Sequence, residues 1–296
     1  MPDRECPESF QESIDSVLCL GITARHASLK AYRVAHEERI SYGEDQLMKM
    51  TVFNGSPRGK KGTTNVIVEA FLAGAVEAGA EVDNIFLVER EIKHCLGCVA
   101  CWIKTPGKCV QTDDMEELIE KFIGSDISIF ATPIHIDNVS GIMKNFIDRL
   151  IPTRMPFFEV HSDGETRHLK RYNQKSKIMM ISSCGYPEQS QFQVIRLWLK
   201  RFSRNFDMEV AGEIYRSWGW LLKAEDDSLE SKIKAYKDLL KKAGHEVAEN
   251  LRISEETATE LERSILPKEM HMEISNKRWD QAIRLGKKVW MPKENY

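Results

Sequence analysis

Short apolar runs alternate with amphipathic stretches between residues 48 and 215 of the chain. In the amphipathic stretches the apolar positions recur at helical spacing, as Ile67, Phe71 and Ala75 do in the first one. The apolar runs have the length of buried strands, and regular alternation of strand and helix is typical of a parallel sheet. The pattern predicts five strands, at residues 50–53, 82–88, 127–134, 178–182 and 208–214.

Helices are predicted between these strands and after the last of them. Asp113 opens one helix, and Glu116 three residues later completes a capping box. The predicted helices cover residues 66–78, 113–123, 141–150, 192–204, 233–251, 254–266 and 275–289. Because crossovers between parallel strands are right-handed, helices should cover both faces of the sheet. The sequence therefore predicts an α/β protein with a doubly wound, five-stranded parallel sheet and a helical C-terminal extension.

The sequence divides into three segments, which differ in how clearly their apolar residues indicate a hydrophobic core. Residues 1–47 show polar helical stretches and are interpreted as an N-terminal extension, residues 48–227 as the α/β domain, and residues 228–296 as the helical C-terminal extension. Within the domain, residues 151–176 contain two prolines, a glycine and many charges, so we expect a long loop. Loops of this length are usually functional or mobile, which makes this one a candidate lid or subunit contact.

Charge and composition narrow the class of partner. The formal net charge is −3 at pH 7, which supplies no global field to attract nucleic acid or an anionic membrane. No apolar run reaches the roughly 18 residues needed to span a bilayer. The 7 cysteines are an odd number, and their clustering favours metal binding or redox chemistry over a disulfide framework. We expect a cytoplasmic protein that binds neither nucleic acid nor membranes.

Three loops should meet at one edge of the sheet, because the carboxyl ends of parallel strands lie together there. The loops cover residues 54–65, 132–140 and 182–189. A ligand of the fold is expected to bind where they meet.

The first of these loops has the composition of an anion-binding turn. It reads Gly-Ser-Pro-Arg-Gly-Lys-Lys-Gly-Thr-Thr-Asn over residues 55–65. Its hydroxyls and the first N–H groups of the following helix can donate to a phosphate, and Arg58 can bind two phosphate oxygens. The chain lacks the glycine patterns of P-loop nucleotide sites and of dinucleotide-binding Rossmann sites. The alternative is a turn and helix cap with solvated basic side chains.

Four cysteines, Cys95, Cys98, Cys101 and Cys109, follow the second predicted strand. Thiolates three residues apart on an irregular loop, with a fourth eight residues later, can converge on one iron–sulfur cluster. Zinc more often draws on two separated cysteine pairs, so the spacing favours iron. Free or oxidisable thiols, zinc and a redox disulfide are the alternatives.

Several motifs occur in order along residues 48–215. They are Gly-Ser-Pro-Arg after the first strand, the four cysteines, Asp113-Asp114-Met115, Thr132-Pro133-Ile134, and Ser140-Gly141 followed by Lys144 and Asp148-Arg149. Together they resemble the family of NADPH-dependent FMN reductases and iron–sulfur flavoproteins. The resemblance implies a flavodoxin-like fold, a non-covalent FMN cofactor and NAD(P)H as electron donor.

The resemblance also implies which residues bind the cofactors. The FMN phosphate would be bound by Ser56, Arg58, Thr63, Thr64 and Asn65. The isoalloxazine ring would lie against Thr132, Pro133, Ile134, His135, Asn138, Ser183, Cys184 and Gly185. A [4Fe-4S] cluster would be bound by the four cysteines.

Three of these positions carry a further interpretation. Thr63 stands where the family often has Asn, and His135 where it often has Tyr, which changes a phosphate contact and the stacking beside the flavin. His135 is interpreted as a flavin neighbour, with a polar residue at a strand end as the alternative. Cys184 is interpreted as a small buried residue rather than a nucleophile.

The predicted activity follows from the flavin, which accepts hydride while the protein supplies orientation and excludes water. We expect an FMN-dependent NAD(P)H oxidoreductase that needs no catalytic side chain. Electrons would pass to a small-molecule acceptor or, with a cluster, to a ferredoxin-like protein, and the resemblance implies a homodimer or tetramer. The alternatives are a flavodoxin-like electron carrier without NAD(P)H activity of its own, a quinone or nitro-compound reductase without a cluster, and a zinc-stabilised binding module.

Overall fold

The computed structural model describes residues 47–173, 175–224 and 226–286, which belong to a compact unit beginning at Leu47. The predicted N-terminal extension lies outside the described residues except for residue 47. The strands are β1 Lys49–Asn54, β2 Glu81–Phe86, β3 Ile127–His135, β4 Asn138–Val139, β5 Arg154–Val160, β6 Thr166–Lys170, β7 Lys177–Ser183 and β8 Glu209–Arg216. The α-helices are α1 Thr63–Glu77, α2 Ala100–Ile103, α3 Met115–Ile123, α4 Gly141–Asp148, α5 Gln193–Phe206, α6 Asp227–Asn250, α7 Glu255–Glu262 and α8 Glu269–Leu285. Short 3₁₀ turns cover Gly59–Lys61, Leu87–Glu89, Ile151–Thr153, Gln189–Phe192 and Gly219–Lys223.

Five strands form one parallel sheet in the order β2-β1-β3-β7-β8, and the short β4 pairs with the end of β3. This order is the doubly wound arrangement of flavodoxin-like folds. β1 is paired on both sides, with Phe53 opposite Ile85 of β2 and Phe130 of β3. Because helices cover both faces, the central strands are nearly continuous runs of buried residues. The predicted α/β fold class is confirmed.

Each face of the sheet has its own hydrophobic core. On one face, Phe53 and Phe130 pack with Phe122 of α3 and Phe146 of α4, and α5 completes the layer. The rings of Phe53 and Phe146 stack with centroids 4.6 Å apart. On the other face, apolar side chains of α1 and α6 cover β1, β3 and β7. The two layers cover the faces of the sheet, so a ligand is expected at the ends of the strands.

Helices α1 and α6 cross with their backbones in contact. A β-carbon on Gly74 would lie 1.8 Å from the carbonyl oxygen of Lys241, and one on Gly244 would lie 1.9 Å from the carbonyl oxygen of Phe71. No larger residue fits at either position without separating the helices. The first helix after β8 is thus an integral part of one layer of the sandwich.

Residues 151–176, predicted as a long loop, contain an antiparallel hairpin of β5 and β6. Arg204 at the end of α5 donates to both carboxylate oxygens of Asp163 at the hairpin tip, at 2.8 Å each. Arg167 on β6 donates to Asp207 just beyond α5 at 2.7 Å. The loop prediction was wrong because prolines and charges interrupt the apolar alternation, and charged hydrogen bonds at the surface tie the hairpin down.

The helix predicted from Asp113 begins at Met115. Asp113 Oδ1 accepts from the Met115 N–H at 3.2 Å, which satisfies one of the first donors of the helix. Glu116 instead pairs with Lys108 at 2.5 Å, so the predicted capping box does not form.

Candidate flavin site

A cavity of about 530 Å³ opens at the carboxyl ends of the parallel strands, where the three loops were predicted to meet. The loop after β1, the end of β3 and the loop after β7 form one side of it. The Gly219–Lys223 turn and helix α8 form the opposite side. Most of the predicted cofactor residues line it, namely Ser56, Arg58, Thr63, Thr64, Pro133, Ile134, His135, Ser183, Cys184 and Gly185.

The loop after β1 is held in shape by its own polar groups. Asn54 Oδ1 accepts from the Ser56 N–H at 3.1 Å, and the buried Ser56 Oγ accepts from the Arg58 N–H at 3.4 Å. Gly62 precedes α1 and has no side chain to bond to the first N–H groups of the helix. A β-carbon there would lie 2.3 Å from Ser56 Oγ, so only glycine lets the helix start this close to the serine. This turn, here called the phosphate loop (residues 55–65), offers an anion a hydroxyl, a helix N-terminus and a guanidinium.

Thr64 connects the phosphate loop to the end of β7. Its hydroxyl lies 3.0 Å from the Ser183 hydroxyl, and both residues are buried. A β-carbon on Gly219 would lie 3.0 Å from Ser183 Cβ and 3.2 Å from Thr63 Cγ2. The phosphate loop, the end of β7 and the turn at Gly219 therefore form one continuous wall of the cavity.

The end of the cavity formed by β3 is less polar. Pro133 and Ile134 are half-buried, and His135 is exposed at the last position of the strand. Ile136 and Asp137 then take φ of 47° and 60°, the left-handed backbone of a tight turn that returns the chain to β4. This end offers a planar ring apolar contact rather than charge.

Cys184 lies at the junction of the two ends. Its thiol donates to the Tyr186 carbonyl oxygen at 3.4 Å, and burial raises the pKa of the thiol to about 11. At neutral pH the sulfur is therefore protonated and adds no negative charge to the cavity. This state agrees with the interpretation of Cys184 as a small buried residue.

Three predicted residues do not line the cavity. Asn65 is buried, and its amide oxygen accepts from the Asn84 amide at 3.0 Å. Thr132 is buried, and its hydroxyl accepts from the backbone N–H before α4 at 3.0 Å. Asn138 is exposed, and its side chain accepts from the next N–H along the chain at 2.8 Å. In the structure these side chains make hydrogen bonds that hold the loops in place. Their role at the cofactor stays a prediction.

Helix α8 covers the cavity, which the sequence interpretation did not include. His271, Ser275, Arg278 and Trp279 line the cavity at positions i, i+4, i+7 and i+8, which lie on one face of a helix. His271 Nε2 donates to the Gly185 carbonyl oxygen at 2.8 Å and fixes the start of the helix on the loop after β7. The helical spacing was visible in the sequence. It could not indicate which surface this polar and aromatic face would contact.

Candidate cysteine site

The four clustered cysteines line a second, small cavity of about 30 Å³. The loop carrying them bends at Gly97 and Val99, whose φ values are 62° and 50°. Cys95 and Cys98 are exposed, while Cys101 and Cys109 are half-buried. Burial and the neighbouring Cys109 raise the pKa of the Cys101 thiol. The donor set fits an iron–sulfur cluster in kind, since all four cysteines line one cavity.

The four cysteines of the loop are free thiols, not joined in disulfides. Among the residues that the structure describes, no group of three or more Cys, His, Asp or Glu side chains is arranged to hold a metal ion. The cysteines therefore fit a cluster by residue type and by lining a common cavity.

A buried ion pair lies directly beside the cysteine cavity. Arg149 donates to both carboxylate oxygens of Asp113, at 2.6 and 2.9 Å, and both side chains are 1% exposed. The guanidinium also donates to the Lys93 carbonyl oxygen at 2.7 Å and to Cys109 Sγ at 3.4 Å. Burial opposes ionisation of Asp113, but hydrogen bonds from Arg149 and backbone N–H groups outweigh it and lower the pKa of the carboxyl. This pair joins α4 to the two ends of the cysteine loop.

Fold and cavity define a doubly wound α/β protein with a phosphate-type turn at the switch point of its sheet. The family described as NADPH-dependent FMN reductase matches residues 48–213. The chain belongs to this family, as the order of its motifs predicted.

Curated relatives resemble part of this chain. An iron–sulfur flavoprotein from Archaeoglobus fulgidus is 40% identical over 105 residues, which are 36% of this chain and 46% of the relative. An iron–sulfur flavoprotein from Clostridioides difficile is 34% identical over 149 residues, which are 47% of this chain and 64% of the relative. The chain thus spans about half the length of the curated relatives it matches.

A solved structure from Klebsiella pneumoniae, of a protein assigned as a quinone reductase, shares the fold. It superposes with a TM-score of 0.50 at 17% identity, covering 68% of this chain and 85% of that one. At this identity the likeness shows the fold alone. In the described parts of the chain, no helix is both long enough and apolar enough to cross a bilayer.

Proposed function

We propose that the protein is an FMN-dependent NAD(P)H oxidoreductase, which passes electrons from a nicotinamide nucleotide through the flavin to an acceptor. The observation that carries the proposal is a single cavity with an anion-binding turn at one end and a less polar strand end at the other. FMN has the same division, with a phosphate at one end and a planar ring at the other. Membership of the family supports the same cofactor and donor.

The residues of the cavity would divide the work of binding. Ser56, Arg58, Thr63 and Thr64 would bind the phosphate, because they surround the start of α1 with hydroxyl and guanidinium donors. The end of β3 and residues 183–185 would contact the ring. Bound FMN supplies the hydride chemistry, so that no side chain has to provide it.

The contribution of the protein would be orientation and exclusion of water. Trp220 and the lining face of α8 cover the cavity opposite the strand ends. Cys184 remains a neutral thiol at neutral pH, so it does not oppose negative charge on the ring. These features keep the site selective for a flat, anion-bearing ligand.

Titration with FMN, followed by assays of nucleotide oxidation, tests this proposal. The wild-type protein should bind FMN, turn yellow, and oxidise NADH or NADPH when a quinone acceptor is present. Arg58→Gln should weaken FMN binding by about tenfold or more, because it removes a charge-assisted phosphate contact. Lys60→Gln is the matched control, because this exposed lysine of the same loop does not line the cavity.

The outcomes separate the alternatives. A wild-type protein that does not bind FMN would refute the proposal. Flavin binding without NAD(P)H oxidation, together with reduction through a partner reductase, would support an electron carrier instead.

The four cysteines are proposed to bind a [4Fe-4S] cluster. Their placement around one cavity supports this assignment, as do the curated relatives described as iron–sulfur flavoproteins. With a cluster, electrons would leave singly to a ferredoxin-like protein. Without one, a small molecule such as a quinone would accept the electron pair.

Metal analysis of protein purified without oxygen tests the cluster. The wild-type protein should contain about four iron atoms and about four acid-labile sulfides per chain. Cys98→Ser should lose most of this iron, whereas Cys184→Ser, which changes a thiol outside the cysteine cavity, should retain it. Stoichiometric zinc, or no metal at all, would refute the assignment.

A homodimer or tetramer is proposed for the assembled protein. Leu96 and Ile103 in the cysteine loop are 68% and 73% exposed, and Ile136 beside the flavin cavity is 95% exposed. Exposed apolar side chains near both sites support contact with another copy. Light scattering should give at least twice the mass of one chain, and a monomer at micromolar concentration would contradict this.

A further inference from the structure

Helix α8 brings a second arginine to the cavity that the phosphate loop also lines. Arg278 lies on the lining face of α8 with Ser275 and Trp279. Its guanidinium carbon is 4.0 Å from the centroid of the Trp220 ring, which also lines the cavity. The phosphate loop contributes Arg58 to the same cavity. Two guanidinium groups thus belong to one ligand space.

Trp220 lies in a turn that contacts the phosphate loop. Gly219, the residue before the tryptophan, lies so close to Thr63 that a β-carbon would be 3.2 Å from the threonine methyl. In the same turn, Lys223 Nζ donates to the Lys61 carbonyl oxygen at 3.0 Å. By contrast, His271 fixes the other end of the helix to the loop after β7. The helix therefore extends from the loop after β7 to a turn that contacts the phosphate loop.

The stacked arrangement suits recognition of a phosphate. A guanidinium that lies over an indole ring is attracted to its face and keeps its N–H groups directed outward in its own plane. Those N–H groups match the oxygens of a phosphate in pairs, and the stacking reduces the freedom lost on binding. Partial burial lowers the pKa of the Arg278 guanidinium, and the charge of Asp226 offsets only part of this effect. A bound anion would add a second negative charge beside the partly dehydrated cation.

We propose that Arg278 is a specificity residue that recognises a phosphate monoester in this cavity. The proposal rests on the function proposed above and goes further, because it assigns to the C-terminal helix a role in selecting the ligand. Two ligands of the proposed reaction carry this chemistry. One source is the 5′-phosphate of FMN, and the other is the 2′-phosphate that distinguishes NADPH from NADH.

Paired ligands that differ by one phosphate distinguish the two sources. Dissociation constants of Arg278→Gln are measured for FMN and riboflavin by flavin fluorescence, and kcat/KM for NADPH and NADH by nucleotide oxidation. If the flavin phosphate is the target, FMN binding should weaken about tenfold or more while riboflavin binding changes less than about twofold. If the nucleotide phosphate is the target, kcat/KM should fall by a similar factor for NADPH and little for NADH.

The neighbouring Lys277 supplies a matched control. Its side chain is 73% exposed on the outer side of α8 and pairs with Glu273, and it does not line the cavity. Lys277→Gln removes the same charge from the adjacent position, so it reports any general electrostatic effect. Arg278→Lys keeps the charge without the planar fork and should recover part of the selectivity.

Each result bears on the proposal. An Arg278→Gln variant that treats both members of each pair alike, or that matches Lys277→Gln, overturns the role of Arg278, while flavin binding by the wild type leaves the proposed function standing. A wild type that binds neither flavin overturns the proposed function and this assignment together. Circular dichroism spectra of the variants verify that α8 and the rest of the fold are retained. If Arg278→Gln does not fold, the same comparisons made with Arg278→Lys decide the question.

Discussion

The flavin cavity and the cysteine cavity lie on the same domain but are built in different ways. The flavin cavity is formed where strands and helices end, and its walls are fixed by buried hydroxyls such as those of Thr64 and Ser183. The cysteine cavity lies within a mostly irregular and exposed loop. A buried ion pair, Arg149 with Asp113, connects that loop to the core, together with hydrogen bonds such as that from the Asn145 amide to the Ile92 carbonyl oxygen.

This difference indicates where each site is vulnerable. The shape of the flavin cavity is distributed over a sheet edge, so loss of one contact should change it locally. The loop around the cysteine cavity is held in part by a desolvated charge pair, and loss of either partner leaves an uncompensated charge in the core.

The largest effect is expected for Arg149→Met. Removing the guanidinium leaves the Asp113 carboxyl buried without its partner, which should reduce the free energy of unfolding by about 3–5 kcal/mol. Urea denaturation of the cluster-free protein measures this change in the free energy of unfolding. Lys144→Met is the control, because its pair with Asp148 is half-exposed and should contribute less than about 0.5 kcal/mol. Equal losses in the two variants would contradict the contrast between the sites.

The thiols of the two cavities should differ strongly in reactivity. With a pKa of about 11, Cys184 has at pH 8 about a hundredfold less thiolate than a cysteine with the ordinary value of 9.0. Brief treatment of cluster-free protein with iodoacetamide should therefore modify the exposed Cys95 and Cys98 well before Cys184.

Peptide mass spectrometry quantifies this labelling. Because only the thiolate reacts, the rate at Cys184 should rise about tenfold per pH unit until pH approaches its pKa. Equal labelling of Cys184 and Cys95 at pH 8 would refute the predicted difference.

A smaller and more local effect is expected for Gly62→Ala. The new β-carbon would collide with Ser56 Oγ, at 2.3 Å in the present geometry, and should displace the start of α1 from the phosphate loop. FMN affinity should fall about tenfold, equivalent to ~1.4 kcal/mol, without loss of iron from the cysteine site. Gly141→Ala provides the control, since nothing lies within 4 Å of its added β-carbon. Unchanged FMN affinity in Gly62→Ala would show that the close approach is not required.

The smallest effect is expected for Thr64→Val, which removes the hydroxyl contact with Ser183. Loss of this buried hydrogen bond should lower the free energy of unfolding by about 1 kcal/mol. Chemical denaturation detects such a change. Thr259→Val, at an exposed position of α7, should stay within about 0.5 kcal/mol of the wild type. A loss above 3 kcal/mol in Thr64→Val would mean that the flavin cavity also depends on single contacts.

The sequence predicted the sheet and the position of the turn between β1 and α1 well because both are encoded locally. Buried parallel strands are continuous apolar runs, and the Gly-Ser-Pro-Arg turn lies between a strand and a helix. The contacts of polar side chains were harder to predict. Asn65 was assigned to the phosphate, yet its amide bonds to Asn84 within the support of the loop. The local sequence does not show whether an amide beside an anion-binding turn faces the ligand or faces the interior.

The features that the sequence did not reveal depend on contacts between residues that are far apart in the chain. The face of α8 that carries His271 and Arg278 mixes polar and aromatic residues, so its periodicity predicts a helix without predicting its position over the cavity. The hairpin of β5 and β6 was missed for a related reason. Its ties to α5 are charged groups from distant parts of the chain, such as Arg204 with Asp163.

The glycine crossing between α1 and α6 sets a minimum length for any stable fragment of the domain. A fragment that stopped at residue 227 would keep all five parallel strands but would leave the groove at Gly74 open to water. Phe71 and Ala75, now inaccessible, would then be exposed beside that groove. Any truncation meant to isolate the cofactor-binding half should therefore extend at least to Asn250, the last residue of the helix that fills the groove.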